Sequence, residues 1–467
     1  MAAIVTHKFR IHNAEQFYES VGEAAASTYY LFIGRPQAFD TTTGGGTDSS
    51  PPTPNDDMVS EYAQFREMMA AKKVTASDIS FVVPRRTWAT GTTYDIYRPD
   101  YSSSITSNSS ATNLFNATYY IMTSEYKVYK CMGNDSNTAS TVEPTATGNT
   151  EFSTGDGYYW KYMYTMTSTQ TANFLSTDFM PVIDTLGTQV PGASQSTVSS
   201  NAVDGELRQI AVTTAGSGYT NGSFTSVPIR GDGASGVCTV VVSGGALSSA
   251  TVTTPGTGYT FATVDVANIS GIGGGSGGVL TPHVGPKGGH GYDALKELGA
   301  FYVMINVSLA GAEGSGDFVI SQDFRRVGLI RNPYNYGTTT VSTGATLSGL
   351  RSVTFNSSPT PGTFVNDEVL TGGTSGAKGK VVNWDSSGRI LKYIQTQWTG
   401  IDSVKNITAF AGTEVVTGTT SSATGTMSAV NNPEIAYHSG DVMYVENRVP
   451  ITRASDQTEN IKLIVEF

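Results

Sequence analysis

The chain has 467 residues, a net charge of −11, only 14% charged residues, 52 glycines and 24 tyrosines. So acidic a chain is a poor candidate for wrapping nucleic acid, because phosphate binding needs clustered Lys and Arg side chains. Low charge combined with many aromatic residues excludes intrinsic disorder and favours β structure with many tight turns.

Cysteine usage and apolar runs exclude further classes of protein. Cys131 and Cys238 lie far apart in the sequence, so neither a disulfide framework nor a cysteine-based zinc site is indicated. Both are predicted to be small buried apolar residues. The first residues lack the apolar stretch of a signal peptide, and no run reaches 18 apolar residues. We expect folding in a reducing cytoplasm, with no membrane and no nucleic-acid partner.

The sequence predicts three short helices, over residues 14–21, 58–71 and 293–298. Asn13 caps the first in this prediction, and Gln16 completes a variant of the capping box. Asp56 or Asp57 precedes the second helix. Its apolar residues recur at helical spacing, at Met58, Tyr62, Phe65 and Met69.

Most of the remaining chain is predicted to be strand and turn. Residues 79–84 are a candidate buried strand that ends at a proline, and residues 119–131 and 158–164 are rich in tyrosine and β-branched residues. Polar stretches rich in Gly, Ser, Thr and Asn, at residues 41–54 and 133–154, are predicted loops.

The middle of the chain contains an internal repeat. Residues 212–220 reappear at 252–260, an offset of 40, with seven of nine positions identical. The glycines of the repeat are predicted to supply positive φ angles for turns. They are Gly216, Gly218, Gly256 and Gly258. Tyr219 and Tyr259 are expected to cover these turns.

A second repeat follows. Residues 364–379 reappear at 410–425, an offset of 46. Within the pair Asp367-Glu368, only the glutamate recurs. Each pair of units is predicted to form one small β-module, because two copies are too few for a solenoid.

These repeats suggest a core interrupted by two inserted modules. We predict a division of the sequence into core segments 1–205, 284–340 and 431–467, with inserted modules at 206–283 and 341–430. The expected fold class is mainly β with a few short helices. We predict a β-sandwich core with flanking helices, of the α+β type, and two inserted small all-β repeat modules.

The search for an active site is negative. None of the five histidines forms a His-Glu-x-x-His pair, and His290 next to Asp293 is better explained as a turn before a helix than as a base or ligand. A phosphate loop around Gly379-Lys380 fails, since Thr374 stands where the first glycine is needed and Val381 follows the lysine.

Carboxylates could serve a glycosidase, which needs two of them at a defined separation. The candidates are Asp56-Asp57, Asp156 and Asp367-Glu368, and structural roles are favoured for all of them. We predict no catalytic residue, no cofactor and no metal.

Arginine and aromatic residues form two candidate docking clusters, since both types are enriched in protein–protein interfaces. Ordinary solvated surface is the alternative for both clusters. The first consists of Arg85, Arg86 and Trp88. The second consists of Arg325, Arg326, Arg331, Tyr334 and Tyr336. For Arg85 and Arg86, a phosphate or base-stacking patch is disfavoured against ion pairs within or between chains.

The C-terminal segment, residues 437–467, closely resembles the end of the small baseplate wedge subunit of T-even-type contractile-tailed phages. The matching sequence motifs are His-Ser-Gly, Met-Tyr-Val-Glu-Asn-Arg and Asp-Gln-Thr-Glu. Motifs that start at Ala3, Phe17, Phe32, Val83, Gly155 and Phe324 resemble the same family in the same order. The two repeat pairs depart from the family pattern.

The resemblance implies a non-enzymatic, dimeric virion protein that is assembled in the host cytoplasm and lies in the tail baseplate. Its implied partners are other wedge subunits. A carbohydrate-binding tail adhesin remains an alternative because of the Tyr- and Gly-rich modules. A glycan-degrading enzyme on a β scaffold is a third, less supported, reading.

Overall fold

A computed structural model describes residues 4–23, 27–42, 45–184, 193–310, 319, 322–401, 403–452 and 458–467. In these ranges the α-helices are α1 His7–Gly22, α2 Met58–Glu67, α3 Ser168–Phe174, α4 Ala193–Ser200 and α5 Ala294–Leu298. Short 3-10 helices cover Ala76–Asp78, Leu114–Asn116 and Val266–Asn268. None of these helices is long and apolar enough to cross a membrane.

The strands up to the first repeat are β1 Tyr29–Gly34, β2 Met68–Val74, β3 Ile79–Pro84, β4 Tyr120–Met122, β5 Lys127–Asn134, β6 Phe152–Ser153, β7 Tyr158–Thr165 and β8 Phe179–Pro181. The first repeat contains β9 Leu207–Thr214, β10 Gly222–Pro228, β11 Arg230–Gly231, β12 Val237–Ser243, β13 Ala246–Thr254, β14 Ala262–Thr263 and β15 Val279–Val284.

The later strands are β16 Tyr302–Leu309, β17 Phe324–Arg331, β18 Thr346–Ser348, β19 Arg351–Phe355, β20 Val369–Gly372, β21 Lys378–Asp385, β22 Ile390–Ile394, β23 Val415–Gly418, β24 Thr424–Asn431, β25 Asp441–Ile451 and β26 Glu459–Glu466. The mainly β class with few short helices is therefore confirmed. The two-sheet sandwich inside that class stays a prediction.

Two of the three predicted helices have different limits in the structure. Helix α1 begins at His7, so Asn13 lies inside it and does not cap it. Thr6 precedes this helix and accepts a hydrogen bond from the Phe9 N–H at 3.3 Å. The predicted cap at Asn13 is wrong because the helix begins at His7, nearly two turns before Asn13.

Helix α2 ends at Glu67, whereas the helical spacing predicted continuation to Ala71. Residues 68–74 form β2 instead, paired with β1 on one side and β18 on the other. Sheet pairing over seven buried or half-buried residues outweighs the local helix preference of Met and Ala. The third predicted helix is confirmed as α5, with the Asp293 carboxylate accepting the Lys296 N–H at 3.1 Å.

The chain divides into two compact units. Unit 1 comprises residues 1–16, 80–304 and 464–467, and unit 2 comprises residues 17–79 and 305–463. The predicted segment boundaries are a finer division, which stays a prediction.

In unit 1, the tyrosine-rich strands pair in the order β4-β5-β7-β6. Alternate side chains from β5 and β7 build an aromatic core with Tyr94. Trp160 is fully buried in it, with its ring stacked on that of Tyr158 at 5.4 Å. Cys131 belongs to this core, and Cys238 lies in the core of the first repeat, so the prediction that both are buried is confirmed.

In unit 2, five antiparallel strands form a sheet in the order β18-β2-β1-β17-β25. Strand β1 lies at its centre, and all six of its residues are buried. The eleven-residue edge strand β25 carries register shifts against β17 and contains Pro450. Bulges and proline protect an exposed sheet edge from pairing with other chains.

The two halves of the first repeat exchange hydrogen bonds with each other. Positive φ is confirmed at all four predicted glycines, from 63° to 79°. The Tyr219 hydroxyl of the first half accepts the Gly278 N–H at 2.9 Å, in the second half. In return, the Tyr259 hydroxyl accepts the Gly236 N–H at 3.1 Å, in the first half. Each tyrosine is buried, so each covers a turn of the other half rather than only its own.

The second repeat forms a closed six-stranded barrel in the order β19-β22-β21-β20-β23-β24. Exchanging β19 with β22, β20 with β23 and β21 with β24 leaves this ring order unchanged. The two repeat units therefore occupy equivalent places around the barrel, and their apolar residues share one core.

The recurring glutamates exchange partners across the barrel. Glu368 accepts the backbone N–H groups of Thr420 and Ser421 at 3.1 and 3.0 Å. Its counterpart Glu414 accepts those of Thr374 and Ser375, both at 2.8 Å. Each carboxylate thus fixes the Thr-Ser turn of the other unit, which explains why the glutamate, and not Asp367, recurs.

Close packing requires glycine beside the first-repeat tyrosines. A Cβ atom on Gly275 would lie 2.3 Å from the Tyr219 ring, whereas a Cβ on the neighbouring Gly274 would meet nothing within 4 Å. We expect Gly275→Ala to lower the free energy of unfolding by about 1–3 kcal/mol through overpacking. Gly274→Ala is the matched control, with an effect within about 0.5 kcal/mol. Urea unfolding of both variants tests this, and equal midpoints would refute the tyrosine contact.

The buried glutamates make the barrel sensitive to substitution. Glu414→Gln should lower the free energy of unfolding by about 2 kcal/mol. The new NH₂ group is itself a donor and would face the N–H and O–H donors that the carboxylate accepts. Asp367→Asn is the control, since that side chain is half-exposed and makes peripheral contacts to Gln322 and Lys380. Thermal unfolding should show a clear loss only for the Glu414 variant.

The same site predicts a pH dependence. Burial raises the pKa of Glu414, but the hydrogen bonds from Ser375, Thr374 and Ala411 outweigh it, so the pKa is lowered overall. The carboxylate therefore stabilises the fold above its unfolded pKa of 4.5, and this stabilisation is lost as the pH falls through the lower folded pKa. Glu414→Gln should flatten the acid limb of a stability-versus-pH curve, and an unchanged slope would contradict this.

Candidate functional site

The first docking cluster lies in unit 1, at the end of β3. The Arg85 guanidinium donates to the Ser176 carbonyl at 2.9 Å. The Arg86 guanidinium donates to the carbonyls of Phe115, at 3.0 Å, and Ala117, and lies 4.3 Å from the Tyr120 ring centre. Both arginines are thus bonded to loop carbonyl oxygens of the same chain, whereas the sequence favoured ion pairs.

Trp88 is likewise engaged within unit 1. Its indole N–H donates to the Ser140 hydroxyl at 3.1 Å, and its ring packs against the aromatic core. The three residues remain half-buried. A double substitution of Arg85 and Arg86 would therefore disturb loop anchoring as well as any partner contact.

In the second cluster, Arg325 is a structural residue of unit 2. It is 6% exposed and binds Asp48 through two parallel hydrogen bonds of 2.8 and 2.9 Å. A third bond reaches the Pro36 carbonyl at 2.7 Å. Burial alone would raise the pKa of Asp48. The hydrogen bonds and the positive charge of Arg325 lower it by more, so the pKa lies below its usual value.

Arg326 belongs to a buried charged triad that the sequence did not indicate. It donates to one oxygen of Glu67 at 2.9 Å, while Arg35 donates to the other oxygen at 2.5 Å. Arg326 also donates to the Asn447 side chain at 2.9 Å. Burial lowers the pKa of Arg326 more than the Glu67 carboxylate raises it.

Arg331, Tyr334 and Tyr336 lie closer to solvent. Arg331 pairs with Asp441 at 2.7 Å, with side chains 40% and 59% exposed. The backbone of Tyr334 accepts the Ala436 N–H at 2.8 Å, and its own N–H bonds the Ser439 hydroxyl. The segment of the tyrosines thus packs against the His-Ser-Gly motif, so two motifs far apart in sequence meet.

A shallow depression extends beside this segment. It is lined by Tyr336, Tyr437, His438, Arg66 and the 337–340 loop. The guanidinium of Arg66 lies 5.7 Å from the Tyr437 ring centre, within cation–π range. Exposed aromatic and arginine side chains are the residue types that anchor protein interfaces.

Unit 1 contains a second buried charged group. The Lys130 ammonium binds the Glu297 carboxylate and lies 2.8 Å from the His290 Nδ1. Burial, followed by the Lys130 charge, lowers the pKa of His290 well below its usual value, so the ring is a neutral acceptor. Asp293 caps α5 and does not contact this ring as a catalytic partner would. The turn interpretation of this segment is supported.

One of the glycosidase candidates, Asp156, anchors a loop. One Asp156 oxygen accepts the backbone N–H groups of Thr141 and Val142 and the Ser140 hydroxyl, at 2.7 to 3.0 Å. Burial raises the pKa of Asp156, but these bonds and that from Thr154 lower it to about 2. Throughout the described ranges, no group of three or more His, Cys, Asp or Glu side chains is placed to hold a metal ion.

Burial separates the structural arginines from the surface ones. Arg325→Ala should lower the free energy of unfolding by about 2 kcal/mol, because the buried guanidinium's bonds to Asp48 and to the Pro36 carbonyl are lost. Arg331→Ala should lower the free energy of unfolding by less than about 1 kcal/mol, since exposed ion pairs contribute little to stability. Thermal unfolding compares the two variants directly, and a larger loss for the Arg331 variant would overturn this assignment.

Comparisons with known proteins agree with the predicted resemblance. Residues 3–141 match the sequence model of the Phage-Gp8 family, described as bacteriophage T4 Gp8. The chain is also 25% identical over 207 residues to "Baseplate wedge protein gp8" of Enterobacteria phage T4. That alignment covers 38% of this chain and 60% of the relative's length.

The matched region contains α1, the central strand β1, and the first docking cluster. The C-terminal motif lies beyond it, and its residues 453–457 lie outside the described ranges. Over its N-terminal part, the chain is thus confirmed as similar to the T4-type small baseplate wedge subunit family.

Proposed function

We propose that the chain is a structural subunit of a phage tail baseplate wedge. The observation that carries this proposal is the family match over residues 3–141, together with a relative whose name is a baseplate wedge protein. The protein would be assembled in the host cytoplasm and located in the tail baseplate of the virion. Its partners would be other wedge subunits and a second copy of itself.

The internal architecture supports a scaffold role rather than an enzymatic one. Two of the carboxylates considered for hydrolysis, Asp156 and Glu368, bind backbone N–H groups of their own chain. We infer that the protein works by presenting rigid surfaces to its neighbours, in which a few aromatic and arginine anchors give specificity.

The adhesin alternative loses its main support. It rested on the Tyr- and Gly-rich modules, since aromatic ring faces often dock sugars. Tyr219 and Tyr259 are 7% and 3% exposed, and both hydroxyls are engaged with glycine N–H groups. A sugar ring cannot stack on a ring face that is buried against the other half of the module.

The surface around Tyr336 is the candidate contact for a neighbouring subunit. Tyr336→Ala should reduce incorporation of the protein into baseplates at least tenfold, because an exposed interface anchor is worth about 2 kcal/mol. Tyr159→Ala is the matched control, as that tyrosine is 54% exposed in unit 1. Incorporation is measured by complementation of a phage that lacks the wild-type protein, and normal assembly of the Tyr336 variant would remove this surface from the proposal.

Electron cryo-microscopy of the phage tests the function as a whole. Density in the baseplate ring, as dimers beside other wedge proteins, is the expected result. Density confined to fibre tips that face the host would replace the proposal with the adhesin.

A further inference from the structure

The depression beside Tyr336 is rich in hydrogen-bond donors. We call it the Arg66 depression. It lies within unit 2, has a volume of about 760 Å³ and is lined mainly by Arg66, Tyr336, Tyr437, His438 and the 337–340 loop. No described Asp or Glu side chain lines it. The proposed function puts a neighbouring subunit on this surface and leaves the chemistry of the contact open.

Arg66 is the cation of this depression. Its guanidinium makes no ion pair and no hydrogen bond with the residues that the structure describes, and it lies 5.7 Å from the Tyr437 ring centre. A second guanidinium, that of Arg351, lies 5.6 Å from the same ring and also has no carboxylate partner within the described ranges. Two cations therefore meet one aromatic ring, and neither is engaged by an acidic side chain.

Other side chains on this surface also have donors to spare. Tyr336 is 36% exposed, and Tyr62, whose ring centre lies 4.3 Å from that of His438, is 45% exposed. Neither phenol hydroxyl bonds any residue in the described part of the chain, and the same holds for the Thr339 hydroxyl. Arginine is a pure donor and the hydroxyls can donate, so the surface suits a ligand that is rich in acceptors.

The turn that presents His438 is fixed by its neighbours. The Ser439 hydroxyl accepts the Tyr334 N–H at 2.9 Å, and a Cβ atom on Gly440 would lie 2.3 Å from a backbone oxygen. His438 has a φ of 61°, in the left-handed region that few non-glycine residues adopt. The turn holds this conformation while the imidazole packs edge-on against Tyr62. The surface is thus organised before any partner arrives, which reduces the entropy cost of binding.

An anion with several acceptor sites matches this surface. A guanidinium binds a carboxylate or a phosphate through parallel hydrogen bonds, and such charged bonds are about twice as strong as neutral ones. The depression is shallow and open, whereas small-molecule sites enclose most of their ligand. It therefore suits a side chain that projects from another protein surface, and tyrosine and arginine are the residue types that anchor such contacts.

We propose that the Arg66 depression binds an Asp or Glu side chain of a different subunit of the baseplate wedge. The carboxylate accepts from the Arg66 guanidinium and from the free hydroxyls beside it, while apolar atoms of the partner pack on the Tyr437 ring. That the partner is a wedge subunit rests on the proposed function. That it presents a carboxylate rests on the charge and the donors of the depression.

Carbodiimide cross-linking of assembled baseplates identifies the group that contacts Arg66. Arg66→Lys keeps the positive charge and supplies a primary amine, which carbodiimide joins to a touching carboxylate as an amide. We expect a link to an Asp or Glu of another wedge protein, located by mass spectrometry. Arg331→Lys is the positive control, because Asp441 lies 2.7 Å from that guanidinium. Arg230→Lys is the negative control, because Arg230 is exposed and pairs with no described carboxylate.

Charge reversal tests the same contact in assembly. Arg66→Glu should lower the titre of a complemented phage that lacks the wild-type protein at least tenfold, because two carboxylates would then face each other. Changing the cross-linked partner residue to Lys should restore at least tenfold of that loss. Arg230→Glu is the matched control, since it makes the same change of net charge on the surface of unit 1.

Purified Arg66→Glu should unfold in urea at the wild-type midpoint, since Arg66 makes no hydrogen bond or ion pair with the described residues. If that midpoint falls, Arg66→Gln removes the charge without reversing it and should still lower the titre.

Several outcomes would overturn the proposal. One is a titre of the folded Arg66 variants equal to that of the Arg230 control, and another is the absence of a link from Arg66→Lys where Arg331→Lys gives one. A link to a second copy of this chain would make the depression a dimer contact instead. A reduced titre without any carboxylate link would point to a phosphate-bearing ligand.

Each of these results leaves the location of the wild-type protein in the baseplate untouched. Density confined to fibre tips would instead remove the wedge subunit as the partner, and the cross-link would still report whether a carboxylate occupies the depression.

Discussion

Carboxylates that accept backbone N–H groups fix the loops on which the rest of the structure depends. Asp95 binds the N–H groups of Ser109 and Thr118, and Asp156 binds those of Thr141 and Val142. Without these carboxylates, the part-buried N–H groups of Ser109 and Thr118 would lose their acceptor. A chain with few charged residues thus places several of its carboxylates inside, where each one binds several donors.

The two repeats use one principle with different chemistry. In the first, a tyrosine of each half covers glycines of the other half, and in the second, a glutamate of each unit binds the turn of the other unit. Exchange of contacts makes each half dependent on its twin. A single copy of either unit would leave a buried hydroxyl or carboxylate without its donors, which is a physical reason for the repeats to occur in pairs.

Arginines in this protein divide by environment rather than by sequence neighbourhood. Arg325, Arg326 and Arg331 lie on one strand, yet the first binds Asp48, the second binds Glu67 and the third pairs with Asp441 near solvent. Neighbouring strands and loops, not the strand that they share, thus set the surroundings of these three arginines.

The sequence by itself determined the mainly β class, the family resemblance, the helix after Asp293 and the positive φ of the repeat glycines, because each follows from local composition or spacing. It also indicated burial of Cys131. Only the tertiary structure decided that residues 68–74 form a strand, because the energy of pairing with β1 is not a local property. The triad of Arg35, Glu67 and Arg326 was invisible for the same reason. Glu67 and Arg326 are more than 250 residues apart in the sequence. Only the folded structure brings the two arginines to the same carboxylate.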